Sequence, residues 1–515
     1  MKSQDYNIRA NVIANIIKTA TLMILSFVTF PYVCRVLGTI TEPNIPGVGE
    51  NALGLYTWAT TFVYYFLTLS RIGLPNIAVR ECAKVRDDRK KLSHKAQEFF
   101  ILQAILTIAS FLLMVIIMYS VGGELVDNAN LIFILSLNFL LGVFSFEWIY
   151  TTLEKHFYLT IRSIIILAVV TVLVFQFITR PEDYFLYAIL MVSVTIITTI
   201  TNLLFINKHI SFKKTAPYNF KQYIKPMIVL FIIAILVTIY DKSDTFILGI
   251  IDDSKNEVAA YQVGVKAIEI IIGVITSLSM VFTPRASRLI EVEDKTYFKR
   301  LTNYAMNIVI FISVPAIITM AALSKPLTNL ISGDYQAAIY ANAPLVLMII
   351  ITMILTFSIS NLIYTQILIP LKKEKIYMFA MLGGAIINVV LCILLGIYAF
   401  PKSPSIGIAI AVIVSDVLIM IFLLIYAWKY VYYAILNWNT LKIFIAGILI
   451  TISSIFLYPL IDKALLNAMP QNQTLIYSLD IIIIVLIDAV VYLGFLLLTK
   501  ENLVSSFLRK REEKK

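Results

Sequence analysis

Arg71 stands in an otherwise apolar stretch. A guanidinium keeps its charge and forks naturally onto two oxygens of a phosphate. Lys18 and Lys266 have similar surroundings, and Asp241, Lys242 and Asp244 crowd into one apolar run. Glu269 follows Lys266 by three residues, and Glu147 precedes Trp148 in a further apolar run. A charge near the centre of a bilayer costs roughly 2.5–3.5 kcal/mol on insertion scales, so each of these groups needs a water-filled cavity or a partner. Lys266 and Glu269 share a helix face and can pair locally. At about 1.5 Å per residue, Asp244 and Lys266 lie at similar depth, roughly 8–14 Å below the outer surface, and can pair instead. The plain reading is mutual neutralisation, with Lys18 snorkelling to the headgroups. The sharper reading makes Arg71, Lys266, Lys18 and Lys242 a site for an anionic headgroup. Asp241, Asp244, Glu269 and Glu147 are then coupling groups or structural charge partners. Asp416, Asp480 and Asp488 have no evident basic partner and suit a packing role.

Other chemistries find little support. The chain has no Asp-x-Asp, Walker A or His-Glu-x-x-His pattern. Cys34, Cys82 and Cys392 are far apart and suggest neither a disulfide framework nor a zinc site. His94, His156 and His209 fall in or beside short polar connections. No enzyme activity, metal or cofactor is expected, and coupling by H+ or Na+ is left open.

The elements that position these charges must be membrane helices. Of the 515 residues 60% are hydrophobic and 14% charged, and a soluble exterior cannot hide so much apolar surface. A crossing takes about 20 apolar residues. Spans are expected near 11–37, 52–78, 97–120, 131–153, 163–179, 184–206, 224–250, 257–283, 302–323, 340–366, 377–400, 405–428, 443–460 and 475–498, fourteen in all. With the N-terminus inside, the inner segments hold 32 of the 42 Lys and Arg and the outer loops 5. That asymmetry predicts a multi-pass membrane protein with both termini cytoplasmic. The net charge of +11 is thereby a matter of orientation and does not point to nucleic acid.

Tyr56 precedes Arg80 by 24 residues, and Tyr261 precedes Arg285 by the same number. The repeat suggests two parallel six-helix lobes, a transporter signature that places substrate between the halves. The expected layout is an N-lobe at 1–206, a C-lobe at 207–428, two appended spans at 429–498 and a charged tail at 499–515. The fold class is thus all-α integral membrane protein, with pseudo-symmetric lobes around a central cavity.

Arg35-x-x-Gly38, Gly54-Leu55-Tyr56, Gly73-Leu74-Pro75 and Arg80-Glu81 open a longer series of motifs. Glu147-Trp148 with Glu154, the run 241–249, Tyr261 and Pro284-Arg285-x-Ser287 continue it. Pro370-x-Lys372-Lys373-Glu374-Lys375 and Gly384-x-x-x-Asn388 end it. In order and placement the series resembles the polysaccharide repeat-unit flippases (O-antigen, capsule or exopolysaccharide) of the multidrug/oligosaccharidyl-lipid/polysaccharide exporter superfamily, over residues 8–430. The resemblance implies fourteen helices in two lobes and movement of an undecaprenyl-diphosphate-linked oligosaccharide to the outer leaflet. It further implies that Lys18, Arg71, Lys266 and Lys242 hold the diphosphate. The expected partners are that lipid-linked oligosaccharide, membrane lipids, and a polymerase with its chain-length regulator. Two features depart from the pattern: a long first outer loop at 39–53 with Pro43 and Pro46, and Glu147 where Asp is expected. A peptidoglycan-precursor flippase and a multidrug exporter of the same superfamily are the alternatives; organic cations would favour an acidic cavity over these lysines and arginines.

Overall fold

The computed structural model of the protein describes residues 2–38, 51–71, 73–213, 217–333, 340–469 and 472–505. Most of the long outer connector expected at 39–53, with Pro43 and Pro46, lies outside them, as does residue 506 onward of the tail. The described residues contain helices and no strand. Among the described residues, eleven helical stretches are long and apolar enough to cross a membrane. Of the three other expected spans, the second and fourth fall on broken helices, and the seventh falls on one helix that carries Asp241, Lys242 and Asp244.

The second expected span, 52–78, divides into α2 (Ala52–Arg71) and α3 (Leu74–Ala83). Pro75 has no N–H to offer the Arg71 carbonyl, and Gly73 takes a left-handed φ of 66°. The chain therefore turns where an unbroken helix was expected. The fourth, 131–153, divides into α6 (Ala129–Gly142), a 3₁₀ turn and α7 (Glu147–Thr152). Phe146, at φ 47°, separates the last two and starts a new helix at Glu147. The seventh is α10 (Lys221–Ile251), which carries the charges at 241–244.

Two compact units emerge. The first comprises Met1–Gly249 with Asp253–Lys255, the second Ile250–Asp252 with Asn256–Lys515. In the first, α1 (Lys2–Leu37) packs on α8 (His156–Phe177), α4 (Arg89–Val121) on α2, and α9 (Tyr184–Ile206) on α6 and α8. Its α10, expected in the C-lobe, also belongs here. Phe246 of α10 stacks on Trp58 and Phe62 of α2, and Gly249 brings its backbone against the Trp58 indole, where a Cβ would stand 2.1 Å from the ring. A short helix, α5 (Glu124–Asp127), follows α4.

The start of α2 is fixed equally tightly. Asn51 caps the helix by accepting from Gly54 N at 3.0 Å, while Asn51 N donates to Ser254 O at 2.8 Å. A Cβ on Gly54 would lie 2.0 Å from the Lys255 carbonyl oxygen. Lys255 itself is fully buried, over the Trp58 ring and within 2.7 Å of Glu124. At the other end, α4 grips the connector before α10. Gln97 donates to Ser211 O at 2.7 Å and to Lys213 O at 3.1 Å, and Glu98 accepts from Asn219 N and the Tyr223 hydroxyl, both at 2.7 Å.

The second unit holds α11 (Asn256–Glu291), α12 (Lys295–Ala322), α13 (Ser324–Ser332), α14 (Ala343–Ile350) and α15 (Met353–Ile363). It continues with α16 (Glu374–Ile393), α17 (Pro404–Ile435), α18 (Trp438–Ala468) and α19 (Gln473–Leu498). Here α16 packs on α17, and α12 on α17 and α18. The last pair, α18 and α19, packs together.

Candidate functional site

In the first unit, Thr60, Tyr64, Leu67 and Arg71 recur at the helical repeat and share one face of α2. That face, with Leu135 and Asn138 of α6 and Thr195 of α9, encloses a cavity of about 210 Å³. Thr195 donates to Asn138 Oδ1 at 2.8 Å, which leaves the Asn138 amide free to donate. Arg71, the final residue of α2, makes no ion pair among the described residues. Among the described residues no carboxylate lines its cavity.

The three lysines differ from Arg71. Lys242 lies 3.0 Å from Asp241 and 5.4 Å over the ring of Tyr64, two turns of α2 before Arg71. Asp244 accepts from the backbone N of Thr245 at 2.6 Å. Lys266 donates to Glu269 at 2.6 Å along α11 of the second unit, the local pair open to it from sequence. Lys18 of α1 stands 3.5 Å from Glu147.

Glu147 is shared. Arg162 of α8 donates to it at 2.9 Å and to Asn202 of α9 at 2.6 Å, and its guanidinium rests 5.8 Å from the Tyr158 ring. Asn202 donates to Ser145 O at 2.6 Å and accepts from Tyr158. Four helices thus converge on one acid and two cations. The Phe146 turn aims Glu147 at this cluster. Sequence reasoning counted Arg162 among the cytoplasmic loop charges and missed it, together with Asn202. The signal was their helical environment: Arg162 enters the apolar face of α8, and Asn202 interrupts that of α9.

Two acids of the later spans, Asp416 and Asp488, accept from hydroxyl donors. Thr356 donates to Asp416 at 2.6 Å; Thr319, Ser453 and Ser454 surround Asp488 at 2.7–3.1 Å. Among the described residues no group of three His, Cys, Asp or Glu side chains is placed to hold a metal ion.

The helices and their intramembrane charges define a multi-pass membrane protein of transporter type. Residues 8–290, more than half the chain, match the family described as polysaccharide biosynthesis protein, and 226–394 match MatE. The chain belongs to the polysaccharide biosynthesis protein family, within the multidrug/oligosaccharidyl-lipid/polysaccharide exporter superfamily. No curated protein matches it in sequence. In fold it is similar to the lipid II flippase MurJ in an inward closed conformation, at 18% identity and TM-score 0.69 over 95% of this chain and 99% of that one. It is also similar to an inward-facing multidrug resistance transporter of the MATE family, at 14% identity and TM-score 0.58 over 81% and 98%. A superfamily transporter from Pyrococcus furiosus follows at 14% identity and TM-score 0.55, over 83% and 97%.

Proposed function

We propose that the protein flips an undecaprenyl-diphosphate-linked oligosaccharide repeat unit across the bacterial cytoplasmic membrane for surface polysaccharide synthesis. The carrying observation is Arg71 on a cavity wall with hydroxyl and amide neighbours and no acid. A diphosphate taken from water needs fixed positive charge and N–H donors in compensation. Lys18, Lys242 and Lys266, each beside a carboxylate, add positive field around the path without taking the place of Arg71 as the direct contact. The movement is alternating access of an N-terminal and a C-terminal lobe within a fourteen-span topology whose termini are cytoplasmic. The isoprenoid tail stays in lipid, because a polar cavity would deprive it of its favourable solvent. Reporters fused at Asp127 should read outside, and those at Lys91 and Lys510 inside.

In cells that depend on this protein for surface polysaccharide, Arg71→Ala should abolish export while the protein still accumulates in the membrane. Arg71→Lys should retain part of the activity, since an ammonium lacks the bidentate fork. Normal export by Arg71→Ala at native expression would remove the phosphate assignment. The near full-length fold likeness to a lipid II flippase favours a second reading, transport of a peptidoglycan precursor. Rescue of cells depleted of their lipid II flippase supports that reading; restored surface polysaccharide without such rescue supports the first.

A further inference from the structure

A cavity of about 760 Å³ opens at one end of the second unit, where the first turns of α12, the junction of α17 with α18 and the residues after α19 meet. Lys295, Lys299 and Arg300 of α12 line it, and none of them makes an ion pair among the described residues. The acid in the wall, Glu501, forms no ion pair with them among the described residues: its Oε2 accepts from the backbone N of Leu503 and of Val504 at 2.8 and 3.1 Å. The walls are braced independently of any ligand. Asn303 donates to Tyr430 O and accepts from Ala434 N, both at 2.7 Å, and Lys442 donates to Thr499 O at 2.7 Å.

The surroundings place this cavity at headgroup depth. At 28, 32 and 31 residues, α12, α17 and α18 exceed the roughly 20 that a bilayer requires, so their ends reach past the hydrocarbon. Tyr433 and Trp438 beside the opening are 60% and 76% exposed, the amphipathic rings that settle at the membrane–water boundary. A soluble anion would need the cations alone; the exposed rings are suited to a ligand anchored in the bilayer.

We propose that this cavity binds the phosphate headgroup of an anionic glycerophospholipid from the adjacent leaflet, a site separate from the Arg71 cavity. Arg300 supplies the fork for paired phosphate oxygens, and the two lysines supply point charge. Basic pockets of this kind between membrane helices recognise lipid headgroups.

The test uses the full-length protein in neutral detergent, titrated with phosphatidylglycerol, phosphatidylcholine or inorganic phosphate, with bound lipid counted by native mass spectrometry and thermal stability followed in parallel. Phosphatidylglycerol should bind and raise the melting temperature, and the other two should do neither. Lys295→Ala/Lys299→Ala/Arg300→Ala should weaken phosphatidylglycerol binding on the order of a hundredfold, at about fivefold per cation. Arg300→Gln, a milder change that keeps the helix intact, should weaken it about fivefold. Lys372→Ala/Lys373→Ala/Lys375→Ala, which removes as much charge elsewhere, should bind as the parent does. Equal loss in both triple variants would reduce the effect to net charge and overturn the site. Binding or stabilisation by phosphatidylcholine would overturn headgroup selectivity, and an equal response to inorganic phosphate would overturn the lipid as its occupant.

Discussion

Tyr56 and Tyr261 each precede an arginine by 24 residues, yet α2 stops at Arg71 whereas α11 runs unbroken from Asn256 to Glu291. Their cations differ in the same way. Arg71 ends its helix on a cavity wall without an acid partner, whereas Lys266 sits inside its helix and donates to Glu269 one turn on. The cause is local. Pro75 cannot donate to the Arg71 carbonyl and Gly73 supplies the left-handed turn, whereas Pro284 of α11 has no glycine in the two residues before it and the helix continues past it. A broken helix leaves its last side chain open to a ligand. A continuous helix offers a cation its own neutralising acid at i+3. Equal spacing in sequence therefore does not imply equal duty in the two units.

The strongest way to break this contrast is to displace α2. Gly54→Ala puts a Cβ 2.0 Å from the Lys255 carbonyl oxygen, which is backbone and cannot swing aside. Folded protein should fall several-fold or more in detergent extracts, with a lowered melting temperature. Next comes the acid that unites α1, α7 and α8. Glu147→Ala leaves the buried Arg162 without its carboxylate, and should cost about 1–3 kcal/mol, less than a fully buried pair because Glu147 is 41% exposed and Asn202 still accepts from Arg162. Thermal denaturation measures this, and Arg162→Leu added to Glu147→Ala should recover part of the loss. The Lys266 pair sharpens the contrast further. Lys266→Ala should impair export by stranding Glu269, and Lys266→Ala/Glu269→Ala should restore most of it. If the double variant fails as completely as the single one, Lys266 touches substrate directly and the two units are more alike than their helices.

The smallest expected effect lies outside the spans. His209 Nε2 accepts from Lys155 Nζ at 2.9 Å, and the imidazole meets the Tyr150 ring edge-on. Burial first, then Lys155, Arg89 and Lys208, holds its pKa below the ordinary 6.5. The unfolded chain thus takes up this proton at a pH where the folded chain does not, so stability rises with pH across that window. The contribution is complete above about 6.5 and is lost as the pH falls towards the folded value. His209→Gln should flatten the melting temperature between pH 7 and pH 5.5 slightly.

Much of this architecture was legible because membrane spans announce themselves by length and by the placement of Lys and Arg. Eleven of the expected spans coincide with helices of sufficient length and apolarity. The helix breaks were less legible. Gly73-Leu74-Pro75 was visible as a motif, but its effect on the Arg71 carbonyl depends on backbone geometry, and nothing in the sequence announces Phe146 at positive φ. Site residues divided along similar lines. Arg71, Lys18 and Glu147 stood out as charges in apolar runs, whereas Arg162 looked like a loop charge because its helix begins six residues earlier, at His156. Asn202 carries no charge at all, and only the meeting of α7, α8 and α9 gives it a role.

The most direct measurement is the binding of a short-chain polyprenyl diphosphate to the purified full-length protein by titration calorimetry, comparing the parent with Arg71→Ala and with Lys266→Ala/Glu269→Ala. A hydrogen-bonded charge contributes about 1.5–3 kcal/mol, so Arg71→Ala should bind roughly 10- to 100-fold more weakly. The paired double variant should stay within about twofold of the parent. Parent-like binding by Arg71→Ala, or an equal loss in the double variant, would contradict the assignment of Arg71 as the open cation.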